Sequence, residues 1–299
     1  MSREVTKFEL NRTPNVSSPR RVPDPRFSLR AHYSAARLPG LACCSLLASG
    51  PPRPRIQDRY ALFTLIDAEA TLWCRGQTQT LSPSSVLLLE PGDVLREIRG
   101  TSYSAKIVWI RRELATTLPG ASEDPHFGQQ LVRCEELKAA TTALVEAVQV
   151  DNVVAEQQCT TRLFELLTPW WTRGSRRPEP PLIARSRRAL AEASAVSLER
   201  LATRLGCAPS YLCRVFSDHV GVGPHSYQLQ RRLLEASRLL ETGRSVTDSA
   251  KLTGFGDASH LRRHFLRIFG IPPGEYQRVF AKRFANQRAE AQWASRVGT

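Results

Sequence analysis

The stretch from Ala250 to Tyr276, AKLTGFGDASHLRRHFLRIFGIPPGEY, decides the fold, because an earlier stretch repeats its pattern. The earlier copy runs from Ala202 to Tyr227, ATRLGCAPSYLCRVFSDHVGVGPHSY. Both contain L-x-R-x-F-x4-G-x2-P-x2-Y at a constant offset of 49 positions. Residue types that agree at fixed spacing in this way indicate one supersecondary unit used twice.

The repeated unit has the signals of two helices joined by a tight turn. Ser197 is a typical N-cap residue, and Gly206 follows the last apolar turn, where a left-handed C-cap is needed. Pro209 fits the first turn of a second helix, in which Leu212 and Phe216 form the buried stripe. This order of elements is typical of the helix-turn-helix motif.

The second copy predicts a helix over 246–252, a glycine turn over 254–257 and a helix over 258–269. A linking helix is expected over 226–241, and the recognition helices at about 209–218 and 258–269. His260 and His264 have the spacing of a zinc-protease pair, but Leu261 stands where that motif needs glutamate. We expect these histidines to face DNA or to pack.

Charge supports a nucleic-acid partner. The chain of 299 residues has a formal net charge of +14, of which residues 181–299 hold +10, residues 1–30 hold +4 and residues 31–180 hold none. No acid lies between Ala258 and Gly270. A basic face of this kind is expected of a protein that binds the phosphate backbone. A plain helical bundle with an arginine-rich surface is the competing interpretation.

The C-terminal third resembles the DNA-binding domain of AraC/XylS-family transcriptional regulators. The matching residues are Ala250, Gly254, Phe255, Asp257, Ser259, Leu261, Arg263, Phe265, Phe269, Gly270, Pro273 and Tyr276. Leu261 departs from the family's usual aromatic residue, an exchange of one apolar side chain for another. The resemblance implies that two recognition helices of one monomer enter successive major grooves on one face of the DNA.

Eight residues on the outer faces of the two predicted recognition helices are the expected DNA-binding set, because such positions reach base edges. They are Ser210, Tyr211, Cys213, Arg214, Ala258, Ser259, Arg262 and Arg263. Arg262 is a candidate for reading guanine, whereas Arg214 and Arg263 suit phosphate or a helix terminus equally well. Cys213 is a weak donor, so the first helix is expected to read sequence weakly. Lys282 and Arg283 could contact phosphates or belong to a solvated tail.

The first half of the chain has short apolar runs separated by turn residues, which predict strands over 27–110 in a small barrel or sandwich. Leu131, Leu137, Leu144, Val148, Phe164, Leu167 and Trp171 recur at helical spacing and predict two helices over 127–171. Pro169 is expected to end or kink the second helix. The family resemblance implies a cupin-like barrel with a dimerising helical pair.

A ligand role for this half is weighed against a filled core. Before the linker the histidines are His32 and His126, which lack a neighbouring histidine or paired acid in the sequence, so we expect no metal and no cofactor. Arg53, Arg55 and Arg59 would suit a carboxylate-bearing effector, or they are simply solvated. The attached DNA-binding region favours a sensing role; the apolar strands alone equally fit a packed interior.

The fold class is therefore α+β, an N-terminal cupin-like β-barrel with two helices and a C-terminal all-α double helix-turn-helix domain. The predicted divisions are a flexible leader over 1–25, a sensing and dimerisation domain over 26–172, a linker over 173–181, a DNA-binding domain over 182–285 and a tail over 286–299. No apolar run is long enough to span a membrane, and the N-terminus lacks a secretory h-region. The seven scattered cysteines contain no C-x-x-C and fit a reducing cytoplasm.

The function that these observations favour is a sequence-specific transcriptional regulator, not an enzyme. Its expected partners are double-stranded DNA, a second copy of the chain, RNA polymerase and a small-molecule effector. A cupin-type enzyme or metal sensor with a DNA-binding tail is the alternative. The effector, the operator and the sign of regulation stay open, although the family includes activators.

Overall fold

The computed structural model describes residues 28–49, 54–99, 102–172, 179–192 and 196–280. The predicted leader and tail lie outside these ranges, as do Arg53, Lys282, Arg283 and most of the predicted linker. In the described ranges, no helix is both long and apolar enough to cross a membrane.

Strands fill most of the first part of the chain. They are β1 (Ser28–Ala35), β2 (Leu41–Ser49), β3 (Arg55–Ile56), β4 (Tyr60–Leu65), β5 (Ala70–Cys74), β6 (Gln77–Leu81), β7 (Val86–Leu89), β8 (Val94–Arg99), β9 (Ser102–Ile110), β10 (His126–Phe127), β11 (Leu131–Val132) and β12 (Trp171–Thr172). Three helices accompany them, α1 (Arg112–Ala115), α2 (Glu135–Gln149) and α3 (Val153–Leu167).

The longer strands form two antiparallel sheets, of order β1-β2-β9-β4-β7-β11 and β3-β8-β5-β6, and β10 pairs with β12. Within the described residues no backbone ladder joins the edge strands of the two sheets, so a closed barrel does not form. The mixed class of helices and sheets is confirmed, whereas the predicted cupin-like barrel is not.

The inner strands β4 and β7 of the six-stranded sheet are buried on both faces, which explains their uninterrupted apolar runs. Strand β4 contributes side chains to two separate apolar cores, because side chains alternate between the two faces of a strand. Ala61, Phe63 and Leu65 join the core between the sheets, whereas Tyr60 and Leu62 join the core beneath α2 and α3.

Helices α2 and α3 pack against each other, and the Asn152 side chain caps α3 by accepting from the Ala155 amide at 3.1 Å. Pro169 lies in a 3₁₀ turn directly after α3, as expected. The expected helical span was too long at both ends. Leu131 pairs with Leu87 in β11, and Trp171 pairs with Phe127 in β12, because both backbones complete short ladders there.

The rest of the described chain is helical. Its helices are α4 (Pro181–Glu192), α5 (Leu198–Leu205), α6 (Pro209–Val220), α7 (Pro224–Glu241), α8 (Val246–Leu252) and α9 (Ala258–Phe269), followed by a helical run over 273–280. Helices α5 and α6 form the first helix-turn-helix unit and α8 and α9 the second, with α7 as the linking helix.

Candidate nucleic-acid interface

The first unit is held by the residues that predicted it. Ser197 accepts from the Arg200 amide at 3.2 Å and begins α5, and Gly206 ends that helix in the left-handed conformation with φ 71°. Pro209 is the first residue of α6. Leu212 and Phe216 are fully buried, so this stripe fixes which face of α6 remains outside.

The second unit uses the same devices. Ser245 accepts from the Asp248 amide at 3.0 Å to begin α8, and Gly254 turns the chain at φ 74°. Asp257 begins α9 by accepting from the His260 amide at 2.6 Å. The sequence contained this last signal, because aspartate is a strong N-cap residue, but our prediction assigned it no role.

The repeated phenylalanine and tyrosine meet in the same way in both units. Phe216 and Tyr227 have ring centroids 5.4 Å apart at an interplanar angle of 80°, and Phe265 and Tyr276 have theirs 5.3 Å apart at 72°. Edge-to-face contacts of this kind are a preferred aromatic geometry. The repeat in the sequence is therefore a repeat in three dimensions.

None of the eight predicted DNA-binding side chains is buried. On α6, Ser210, Tyr211 and Arg214 are exposed and Cys213 is half-buried, and the Arg214 guanidinium lies 5.8 Å from the Tyr211 ring centroid. The structure thus leaves this face of α6 accessible to a partner.

On α9, Ser259, Arg262 and Arg263 are exposed and Ala258 is half-buried. Neither guanidinium has a hydrogen bond or an ion pair with any residue that the structure describes. Arg267, one turn further on, is exposed as well. The outer face of α9 therefore presents three cations that have no ion-pair partner among the described residues.

The comparisons with known proteins agree with this geometry. Residues 201–279 match the family model of a helix-turn-helix domain. A transcriptional regulator of Mycobacterium tuberculosis is 43% identical over 83 residues, which are 27% of this chain and 32% of its own. A Streptomyces lividans protein described as an AraC-like transcription regulator is 36% identical over 90 residues, 30% of this chain and 26% of its own.

The helix-turn-helix region of the chain is thus similar to that of AraC-like transcriptional regulators. An uncharacterized regulator of this helix-turn-helix type from Bacillus subtilis is similar over a longer stretch, with 26% identity over 238 residues, 75% of this chain and 86% of its own. By contrast, the chain spans only about a third of the length of the Mycobacterium relative. The stretch of this chain that is similar to the AraC-like relative is about as long as its own helix-turn-helix domain.

His260 and His264 pack against each other and against the turn of the second unit. Their rings lie 4.9 Å apart, and both contact Phe255 in the turn of the second unit. Arg232 of α7 lies over the other side of this cluster, 4.5 Å from the Phe255 centroid, and its Nε donates to the Thr253 carbonyl at 2.7 Å. Among the described residues, no group of three metal-ligating side chains occurs.

Arg232 was not identified from the sequence, because the repeat gives it no counterpart in the first unit. The position 48 residues earlier is Ala184, so the first unit has no such arginine. The guanidinium also donates to the Gly254 carbonyl, and it thereby holds the glycine turn of the second unit against α7.

A buried carboxylate joins the helical C-terminal region to the sheets. Glu241, the last residue of α7, is fully buried and accepts from Arg59, Arg111 and, at 2.6 Å, the Tyr276 hydroxyl. Burial alone would lower the pKa of Arg59, but the charges of Tyr276, Glu241 and Asp58 outweigh it and raise that pKa. Arg59 is therefore an ion-pair partner in the interior, not a solvated arginine.

His126 was expected to have no paired acid, but the structure places two acids beside it. Its Nδ1 lies 3.1 Å from Glu90 and its Nε2 lies 3.1 Å from Asp124, so the ring has two acidic neighbours. Asp124 is close in sequence, but the buried Glu90 reaches the ring only through the fold. Arg75 pairs with Glu90 and Asp93, and Arg112 pairs with Asp124, so both acids beside His126 also contact an arginine.

Proposed function

We propose that this regulator binds DNA sequence-specifically by inserting α6 and α9 into successive major grooves on one face of a duplex. One observation carries the proposal: two copies of one unit each present an outward helix face, and α9 has three cations and no acid on it. Such faces suit the phosphate-lined groove, and α7 would hold them at a fixed spacing.

The eight exposed or half-buried residues would divide their tasks by chemistry. Arg262 can donate two hydrogen bonds to guanine, so we assign it base reading. Arg214 and Arg263 occupy equivalent places in the two copies, and we assign them to phosphates. The thiol of Cys213 donates weakly, which leaves α6 with less to read than α9.

For the N-terminal part, we propose a cupin-like sensing and dimerisation domain that controls this binding in response to a small molecule. Leu46, Arg55 and Phe63 are among the residues that line a cavity between the two sheets, where such a molecule would bind. Helices α2 and α3 would form the contact with a second copy of the chain. Such a regulator would act in the cytoplasm without enzymatic activity and would contact RNA polymerase at its promoter.

The first test is to select preferred duplexes with the full chain and to measure binding by fluorescence anisotropy over a range of salt concentrations. Arg262→Ala should cost about 1–3 kcal/mol on the selected duplex and relax the preference at one base position. Arg263→Ala should weaken binding to all duplexes alike and reduce the salt slope by about 1.

Arg112→Ala is the matched control, because Arg112 is an exposed arginine on α1 that pairs with Asp124. It should leave both the preference and the salt slope unchanged. Binding that ignores ionic strength, or an Arg262→Ala protein with the original preference, would contradict the assignment.

A further inference from the structure

The outer face of α9 carries a large apolar side chain that does not belong to the predicted DNA-binding set. Leu266 is 44% exposed and is part of neither apolar core of the described residues. The equivalent residue of the first unit is Ser217, whose hydroxyl donates to the Cys213 carbonyl at 2.7 Å. Leu266 therefore has no packing role that the two units share.

Leu266 lies on the same stripe of α9 as the residues that we assign to DNA. The exposed residues of this stripe, separated by three, four and seven positions, are Ser259, Arg262, Arg263 and Leu266. Residues at these spacings share one face of a helix. From Ser259 to Leu266 the helix rises about 10 Å, which matches the rise of about three base pairs. A helix that lies in the major groove with this stripe inward brings Leu266 to the base edges as well.

The charges around Leu266 favour nucleic acid as its partner. Arg262, Arg263 and Arg267 are exposed around it, and no acid lies on α9. An apolar protein surface would cover the leucine, but it would offer nothing to the three cations. A DNA groove supplies phosphates for the cations and, at each thymine, a C5-methyl group for the leucine. Of the groups that base edges present in the major groove, this methyl is the apolar one.

We propose that Leu266 reads the C5-methyl group of a thymine in the half-site bound by α9. The inference rests on the proposed function, and it adds a second base contact to the one assigned to Arg262. The two side chains recognise different chemistry. Arg262 donates to the acceptors of guanine, whereas Leu266 gains only by covering apolar surface. Because the two residues are one helical turn apart, the thymine is expected within about two base pairs of the guanine.

Deoxyuridine tests this contact, because it pairs like thymidine and lacks only the methyl group. Each thymine of the selected duplex is replaced in turn, and binding of the full chain is measured by fluorescence anisotropy. One replacement, beside the base pair at which Arg262→Ala relaxes the preference, should weaken wild-type binding by about three- to tenfold, the value of burying roughly one methyl group. Leu266→Ala should bind the thymine and deoxyuridine duplexes equally well.

Two further variants control for the size and the position of the side chain. Leu266→Met keeps an apolar side chain of similar length, so it should retain the deoxyuridine penalty. Leu47→Ala is the matched control, because Leu47 is 49% exposed on β2, and this variant should show the wild-type penalty. Since Leu266 is exposed, Leu266→Ala should unfold at the wild-type denaturant concentration.

Three results would overturn the contact with thymine. They are an α9 half-site selected without thymine, no deoxyuridine penalty within it, and an equal penalty in the wild type and in Leu266→Ala. If that equal penalty comes with loss of the wild-type oligomer in Leu266→Ala, Leu266 belongs to a contact between copies of the chain instead. A protein that selects a duplex without any methyl dependence loses only this inference, whereas one that selects no duplex loses the proposed function.

Discussion

In both helix-turn-helix units a buried phenylalanine meets a buried tyrosine edge-on, but within the described residues the second tyrosine alone also donates to a carboxylate. Tyr276 reaches Glu241, whereas Tyr227 has the Arg187 guanidinium 5.5 Å from its ring centroid. The two units therefore share an apolar skeleton and differ in what surrounds it. The apolar skeleton of phenylalanine and tyrosine holds each unit together. In the second unit, the bond from Tyr276 to Glu241 also joins it to the ion pairs of Arg59 and Arg111.

Their outer faces differ as well. Helix α6 carries Asp218 beside Arg214, whereas α9 carries only cations among its charged residues. Since phosphate contacts supply most of the non-specific affinity for DNA, we expect the second unit to hold the duplex more tightly. The unit that we expect to bind more strongly is also the one joined to the sheets, through the Tyr33 hydrogen bond to the Phe269 carbonyl and through Glu241.

The largest expected effect tests the shared skeleton. Phe216→Ala and Phe265→Ala should each lower the free energy of unfolding by about 3–5 kcal/mol, because each removes a fully buried aromatic ring. Phe265→Ala should fall toward the upper end, since its ring also stacks on Phe269 with centroids 4.1 Å apart. Denaturant unfolding of the full chain measures both.

Leucine at either position is the control, because it keeps most of the apolar volume and should recover much of the loss. A Phe216→Ala cost of well under half the Phe265→Ala cost would show that the two copies do not depend on the same skeleton.

This skeleton is the part of the molecule that the sequence could predict, for a physical reason. Leu212, Phe216 and their counterparts are spaced by the period of the helix, and Gly206 and Gly254 mark turns that need a positive φ. Such signals are local, so they can be identified without knowing what packs against them. The outward positions of the predicted DNA-binding residues followed from the same periodicity.

The junction between the sheets and the C-terminal helices, formed by Glu241 with Arg59 and by Tyr33 with Phe269, could not be predicted, because these partners are far apart in the chain. Glu241 meets Arg59 across 182 positions, and Tyr33 meets Phe269 across 236. Neither pair has a spacing or motif that would reveal it. Closure of the barrel could not be predicted for a related reason. Alternating apolar runs identify strands, but they do not show whether the edges of two sheets join.

The second prediction separates the units by their tyrosines. Tyr276→Phe should cost about 1.5–3 kcal/mol of unfolding free energy, because it removes a buried hydrogen bond to a charged group. Tyr227→Phe should cost less, since its hydroxyl makes no hydrogen bond to the residues described by the structure. Thermal and denaturant unfolding of the two variants provide the comparison.

Glu241→Gln combined with each tyrosine variant completes a double-mutant cycle. A coupling energy should be present for Tyr276 and absent for Tyr227. Equal costs for the two tyrosines, with no coupling to Glu241, would mean that the junction does not distinguish the units.

The smallest effects are expected at the glycine turns, where the two units differ by a single neighbouring side chain, Arg232. Gly206→Ala should cost about 1–2 kcal/mol, the price of a left-handed φ alone, because a Cβ there has open space around it. Gly254→Ala should cost more, since its Cβ would lie 3.3 Å from the Arg232 guanidinium that holds the turn. In an Arg232→Met background the extra cost should disappear and the two glycines should become equal. If the difference persists without the guanidinium, Arg232 is not what distinguishes the second turn from the first.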